Sequence, residues 1–331
     1  MRSWKAAILI MIAMPAWAET PDIAGIVDDH ILPGYQALAA RTAGLADAAQ
    51  ADCTPGNAHL NTAYHAAFDA WIMVSHLRFG PSEQDDRAFA LAFWPDTRGA
   101  TPKTLAALLR DQDPVVRSPE AFQTVSVAAR GFYALELLLY DPQFQQNEAV
   151  GYRCTLITTL TQGIAASAAA ILDDWEGGYA DLMRGAGSND TYRSPDEAVR
   201  QMFTALSSGL EFTAETRLGR PMGTFDKPRP NRAEARRSGR ALHHVTLSLT
   251  ATRDLAAALS GGDTDLDAAF GRAINRATAL DDPVLATVAT PEGRFRVEVL
   301  QQSITDIRQQ VAEDLGPRLG IATGFNSLDG D

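Results

Sequence analysis

Several features that would point to a familiar chemistry are missing from this chain. Only two cysteines, Cys53 and Cys154, occur in 331 residues. Neither belongs to a C-x-x-C pair, and no H-E-x-x-H occurs, so the usual zinc-binding patterns are absent. There is no glycine-rich phosphate loop and no G-x-S-x-G turn, which removes the local machinery of nucleotide binding and of serine hydrolases. Positive charge is in deficit, with 29 Lys plus Arg against 41 Asp plus Glu and a net charge of −12. Nucleic acid and anionic membrane are poor partners for such a surface. Alternating strand-like runs are essentially missing, as is any repeat of fixed period, so neither a β fold nor a solenoid is supported.

What is present begins with an export signal. Residues 1–18, "MRSWKAAILIMIAMPAWA", carry Arg2 and Lys5, an apolar run from Ala6 to Met14, then Pro15 and the small-x-small pattern Ala16, Trp17, Ala18. The run is far shorter than the ~20 residues that span a bilayer, so the segment reads as a secretory signal peptide cleaved after Ala18. Glu19 and not a cysteine stands right after the cleavage point, so the mature protein is expected in the periplasm and not as a lipoprotein. Losing Arg2 and Lys5 lowers the 29 basic residues to 27 against 41 acidic ones, a net of −14. Metal cations and cationic ligands suit that balance, although it also simply confers solubility. In an oxidising compartment Cys53 and Cys154 are expected to form one disulfide.

The rest of the chain has helical period. "TPKTLAALLR", "SPEAFQTV" and "SPDEAVRQMF" each place Thr101, Ser118 or Ser194 as an N-cap before proline at the first helical position. Two loops rich in Gly, Pro, Asn and Asp interrupt the pattern, at 177–195 and 218–231, and the first makes the better domain boundary. The expected organisation is all-α: two helical bundles in tandem, residues 19–185 and 186–331.

Glu136 stands out because it sits inside "AARGFYALELLLYDP", where a helix would place Val125, Ala129, Phe132, Glu136 and Leu139 within roughly 80° of one another. An inward carboxylate needs a partner or takes up a proton. The helix expected over residues 57–79 offers one: Arg78 falls on its Trp71 side, so an Arg78–Glu136 pair is the first to test. On the opposite face Asn61, His65, Asp69 and His76 form a stripe, which reads as a solvated polar face rather than a ligand set. "FWPDTRG" supplies Trp94 and Asp96 in an exposed-looking loop. "AEARRSGRALHHVTLSL" read as a helix aims Glu234 and Ser238 at a core with Ala241 and Val245, while His243 and His244 point elsewhere.

The segments "LRFGP", "FWPDTRG", "GFYALELLLY", "RLGRPMG", "AEARRSGRAL" and the closing "GFNSLDGD" occur in order over nearly the whole mature chain. Together they resemble the imelysin-like family. The resemblance implies two four-helix-bundle-like halves and an exported protein associated with bacterial iron uptake, some members being classed as peptidases. The family's motif is G-x-H-x-x-E. Gly131 and Glu136 match it, but Tyr133 occupies the histidine position, and a neutral tyrosine is a poor zinc ligand. The reading that follows is a polar site between the halves, built from Glu136, Tyr133, Arg78, Trp94, Asp96, Glu234, Ser238 and the terminal Asp329. Glu136 and Glu234 would be the metal-binding carboxylates, for iron or another divalent or trivalent ion. The protein would act by binding a metal or small ligand, or by engaging membrane-bound iron-uptake components. A metal-dependent peptidase is the rival reading, and a docking module without metal is the third.

Overall fold

The computed structural model describes residues 21–146 and 149–321; the signal segment and Asp329 lie outside them. Nine longer helices organise the described chain, labelled α1 (Leu32–Ala51), α2 (Ala58–Val74), α3 (Ala100–Asp111), α4 (Gly131–Tyr140), α5 (Val150–Asp174), α6 (Pro195–Glu211), α7 (Ala241–Ser260), α8 (Thr264–Leu280) and α9 (Pro291–Gln310). No strand occurs among the described residues, where an isolated bridge between Thr224 and Lys227 merely closes a turn. The protein is all-α.

Local chemistry sets many of the helix limits. Asn57 caps α2 by accepting from the Leu60 amide at 3.0 Å. Thr290, followed by Pro291, caps α9 by accepting from the Gly293 amide at 3.2 Å. At the other end of α7, Gly261 takes the left-handed conformation, φ 67°, which terminates a helix at little cost for a residue without Cβ. Ser118 also caps as the sequence suggests, but its helix lasts only from Pro119 to Phe122. For α3 the cap differs: the helix begins after Gly99, φ 63°, and the carboxylate of Asp96 receives the amides of Ala100 and Thr101 at 2.9 and 2.8 Å.

Helices α1, α2, α4 and α5 form one group: α1 lies against both α2 and α5, and α4 packs on α5. Cys53, just after α1, is bonded to Cys154 in the first turns of α5, with Cα atoms 5.3 Å apart. Helices α6 to α9 form the other group, each packing on its neighbour in sequence and α6 closing against α9. The groups meet where α2 lies along α7, and a single apolar core runs through both. Phe68 and Phe132 stack in that core with ring centroids 4.7 Å apart, each fully buried. Side chains of this size contribute about 1.5–3 kcal/mol each by leaving water.

Three sequence expectations are corrected here. Helix α2 stops at Val74 rather than Phe79, because the carbonyl of Leu77 is taken by Tyr35 Oη and Ser82 Oγ, at 3.1 and 2.8 Å, and the chain turns there. Residues 233–240 are turns and not the start of a helix: Ala235 has φ 44° and Gly239 φ 73°, and α7 begins only at Ala241. Finally, α4 begins at Gly131, so Val125 and Ala129 precede it. Gly131 has φ 76°, and a Cβ there would fall 2.3 Å from the carbonyl oxygens of Ala90 and Leu91. The motif glycine thus permits a backbone approach that no other residue allows.

Candidate functional site

The seam between the two groups is polar around α4. The segment after the short helix Arg87–Leu91 supplies Trp94, and α4 supplies Tyr133 and Glu136. The π-helical segment Phe212–Leu218 continuing α6 supplies Arg217, the 233–240 turns supply Glu234 and Ser238, and the first turn of α7 supplies His244.

Glu136 is only 4% exposed, and its partner is not Arg78. Its Oε1 accepts from the Ser238 backbone N–H and from the Ser238 hydroxyl, both at 2.9 Å. Burial pushes this carboxyl above the ordinary carboxylate range, and the Ser238 bonds with the charge of Arg237 offset that only in part. Glu136 therefore ties the 233–240 turns to α4 through dipoles. Arg78 instead lines the cavity shared by Trp94, Tyr133 and Glu234 and forms a bidentate pair with Glu83, Nε to Oε1 at 2.6 Å, with both side chains nearly half exposed. The expected Arg78–Glu136 pair is corrected on that ground.

Glu234 is equally buried and differently held. Tyr133 Oη donates to its Oε1, and Arg217 Nε donates to its Oε2 at 2.7 Å. His244 Nδ1 lies 3.4 Å from the same Oε2. Burial pushes the Glu234 carboxyl up, but the Arg217 guanidinium, His244 and Tyr133 outweigh it and hold it at about 2. Arg217 also donates to Ser248 Oγ at 3.2 Å, and its guanidinium lies 4.8 Å from the centre of the Phe212 ring. Tyr133 is kept protonated by burial and by the Glu234 charge, which push its hydroxyl well above 10. The phenol thus serves as a donor. His244 is kept neutral by burial, and its ring stands edge-on to Phe68 at 4.5 Å.

Two cavities flank this network. Trp94 stacks on Tyr133, with centroids 6.0 Å apart and planes at 25°, and the pair lines both cavities. One, of about 280 Å³, is lined by Glu136, Asp96, Arg220 and Arg232 among others. The second, of about 230 Å³, is more apolar, with Trp71, Phe89 and Phe212 above a floor of Arg217 and Glu234.

Trp94, Tyr133, Glu136, Glu234 and Ser238 are therefore brought together, Asp96 lines the first cavity while capping α3, and Asp329 lies outside the described residues. Among the described residues no group of three or more His, Cys, Asp or Glu side chains is placed to share an ion. Glu136 is held by Ser238, and Glu234 by Arg217 and Tyr133, so the described donors do not make a ready ligand set.

Arg217 and His244 escape the sequence reading. A signal existed for the first: Leu210 and Ala214, seven and three residues before Arg217, are buried, which puts the guanidinium on an apolar face. His244 was hidden by assuming helical phase through 233–240. The polar stripe on α2 is also corrected: Asp69 pairs with Arg240, His65 Nε2 lies 2.9 Å from Tyr140 Oη, and His76 is buried 3.1 Å from His30. That face meets Arg240, α4 and the segment before α1 instead of solvent.

An all-helical protein with a polar, cavity-flanked seam between two helix groups is the class this geometry defines. Residues 31–311 match the family described as Imelysin, and the chain belongs to that family. It is 24% identical over 321 residues to "Iron-regulated protein A" of Synechococcus elongatus, covering 89% of this chain and 85% of that one. Among solved structures it is similar to an imelysin-like protein from Psychrobacter arcticum, with TM-score 0.77 and 19% identity over 96% of this chain and all of the other. A putative iron-regulated protein A precursor from Parabacteroides distasonis superposes with TM-score 0.73 and 12% identity, over 90% and 94% of the two chains. These likenesses confirm the all-α fold.

Proposed function

We propose that this protein is exported to the periplasm and serves the acquisition of iron or another metal by binding a ligand or partner at the seam, without catalysing a reaction. The observation that carries this reading is the state of Tyr133 and Glu234. The motif position where the family has histidine holds a protonated phenol that donates to a carboxylate already paired with Arg217. Such a network is a fixed wall, whereas a metallopeptidase needs an open coordination position with at least three protein ligands and a base. The two cavities beside Tyr133 give that wall something to recognise. The names of the relatives from Synechococcus elongatus and Parabacteroides distasonis support the connection with iron, and the sequence of residues 1–18 supports export.

The test is complementation in a bacterium lacking its own copy, grown under iron limitation. The natural chain should restore iron accumulation, and Trp94→Ala, which opens the wall between the cavities, should not, while being exported in equal amount. Titration of the purified mature protein with ferric, ferrous and zinc salts shows whether free metal is the ligand, and Glu136→Gln then shows whether that carboxylate takes part. Chelator-sensitive cleavage of an unfolded protein substrate, lost in Glu136→Gln, would replace this reading with the peptidase.

A further inference from the structure

The larger cavity contains two guanidinium groups that no described carboxylate neutralises. Arg220 is half-buried, with its Nε shut away from water and lacking an acceptor, and its guanidinium lies 5.8 Å from the centre of the Trp94 ring. Arg232 lines the same cavity from its exposed rim. Among the described residues no carboxylate pairs with either. The other charged groups on the cavity wall are already occupied: Asp96 by the amides at the start of α3, Glu136 by Ser238, and Arg237 by Asp141 at 2.5 Å. Burial and the neighbouring charge of Arg232 both lower the pKa of Arg220, as expected for two like charges facing one space.

A chain with 41 acidic residues has ample means to pair two arginines. Two guanidinium groups without a carboxylate partner among the described residues, one of them with its Nε desolvated, around a concave space, are the arrangement that an incoming anion completes. Planar guanidinium forks match carboxylate and phosphate oxygens, and Trp94 with Tyr133 supplies a flat wall against which a compact ligand can rest. We infer that this cavity is an anion site that takes a small molecule bearing at least two negative charges on carboxylate or phosphate groups, with Arg220 and Arg232 as its binding residues. This goes beyond the reading of the seam as a metal-acquisition site and does not depend on it.

Calorimetric titration of the mature protein with citrate and with inorganic phosphate, in metal-free buffer of low constant ionic strength, tests the inference. Saturable binding of at least one anion is expected, weakening as salt is added. Tighter binding of citrate assigns the site to carboxylates, and tighter binding of phosphate to phosphoryl groups. Arg220→Gln and Arg232→Gln should each weaken it by at least about tenfold, the loss of one charge-assisted contact. Arg220→Lys should fall between, because it keeps the charge and loses the fork. The unliganded double variant should melt no lower than the natural chain, since it removes a repulsion. No saturable binding of either anion up to about 10 mM, a range in which even weak complexes form, would overturn the inference. So would unchanged affinity in a folded double variant. Because no metal is present, a failure here leaves the iron reading standing, and a failure of the iron assay leaves this one standing.

Discussion

Glu136 and Glu234 are buried to almost the same degree on either side of Tyr133, and their carboxyls are pushed in opposite directions. The difference lies in what each one faces. Glu234 meets a full charge, Arg217, reinforced by a phenol, and stays ionised down to about 2. Glu136 meets the dipoles of the Ser238 amide and hydroxyl at short range, and these together with Arg237 compensate its desolvation incompletely. Depth alone does not decide the ionisation of a carboxylate; the charge of its nearest partner does.

That contrast is sharpest under mutation. Arg217→Met leaves Glu234 as a buried anion without its cation, and Glu234→Gln leaves Arg217 in the converse position. Each should cost about 3–5 kcal/mol in denaturant unfolding, and the double variant should recover most of that loss. A double variant that costs the sum of the two single variants would show that the pair is not the source of the stability. Tyr133→Phe removes one hydrogen bond to the same carboxylate while keeping the ring on Trp94, and should cost about 2 kcal/mol.

A third buried set extends the comparison to acid. His30 is held down to about 4 by burial, and His76, also buried, lies well below its usual value with Arg217 and His30 adding to the effect. Both are neutral when folded and take up protons more readily when unfolded. Their stabilising contribution is therefore complete above about 6.5 and is lost as the pH falls towards 4. Denaturant unfolding at pH 7 and pH 5 should show a loss to which His30 contributes about 2 kcal/mol, and His30→Asn should remove that share. The contribution of Glu234 has the same sign in a lower window: it is present above about 4.5 and lost as the pH falls towards 2.

The smallest effect belongs to Glu136→Gln. Its raised folded pKa means that the stabilising contribution is present below the ordinary carboxylate value and lost as pH rises through the raised one. An amide oxygen can still accept from Ser238 without the cost of a buried charge, so at pH 7 the variant should lie within about 1 kcal/mol of the natural chain. A loss as large as that of Glu234→Gln would erase the distinction between the two sites.

How far the sequence reached differs between fold and site. Helical period, proline-led starts and the absence of alternation are local properties, and the all-α class follows from them. The two cysteines, in a chain with an export signal, pointed to the Cys53–Cys154 bond that the fold makes. Glu136 was visible because a carboxylate among leucines needs an explanation. Its partner was not visible, since extrapolating α2 to Phe79, past its end at Val74, turned Arg78 inward, and extrapolating α7 backwards through Ala235 and Gly239 concealed the turn that delivers Ser238.

The amino-acid sequence by itself determined that this protein is a family of buried helical faces carrying a few carboxylates that must be compensated. Hydrophobic period and capping act within a few residues of chain and need no tertiary partner. Only the tertiary structure decided that Arg217 compensates Glu234, that Ser238 compensates Glu136, and that Arg220 and Arg232 are left facing a cavity. Those pairings join residues 17 to 102 positions apart across non-helical turns, where side-chain direction depends on backbone angles that no local periodicity encodes.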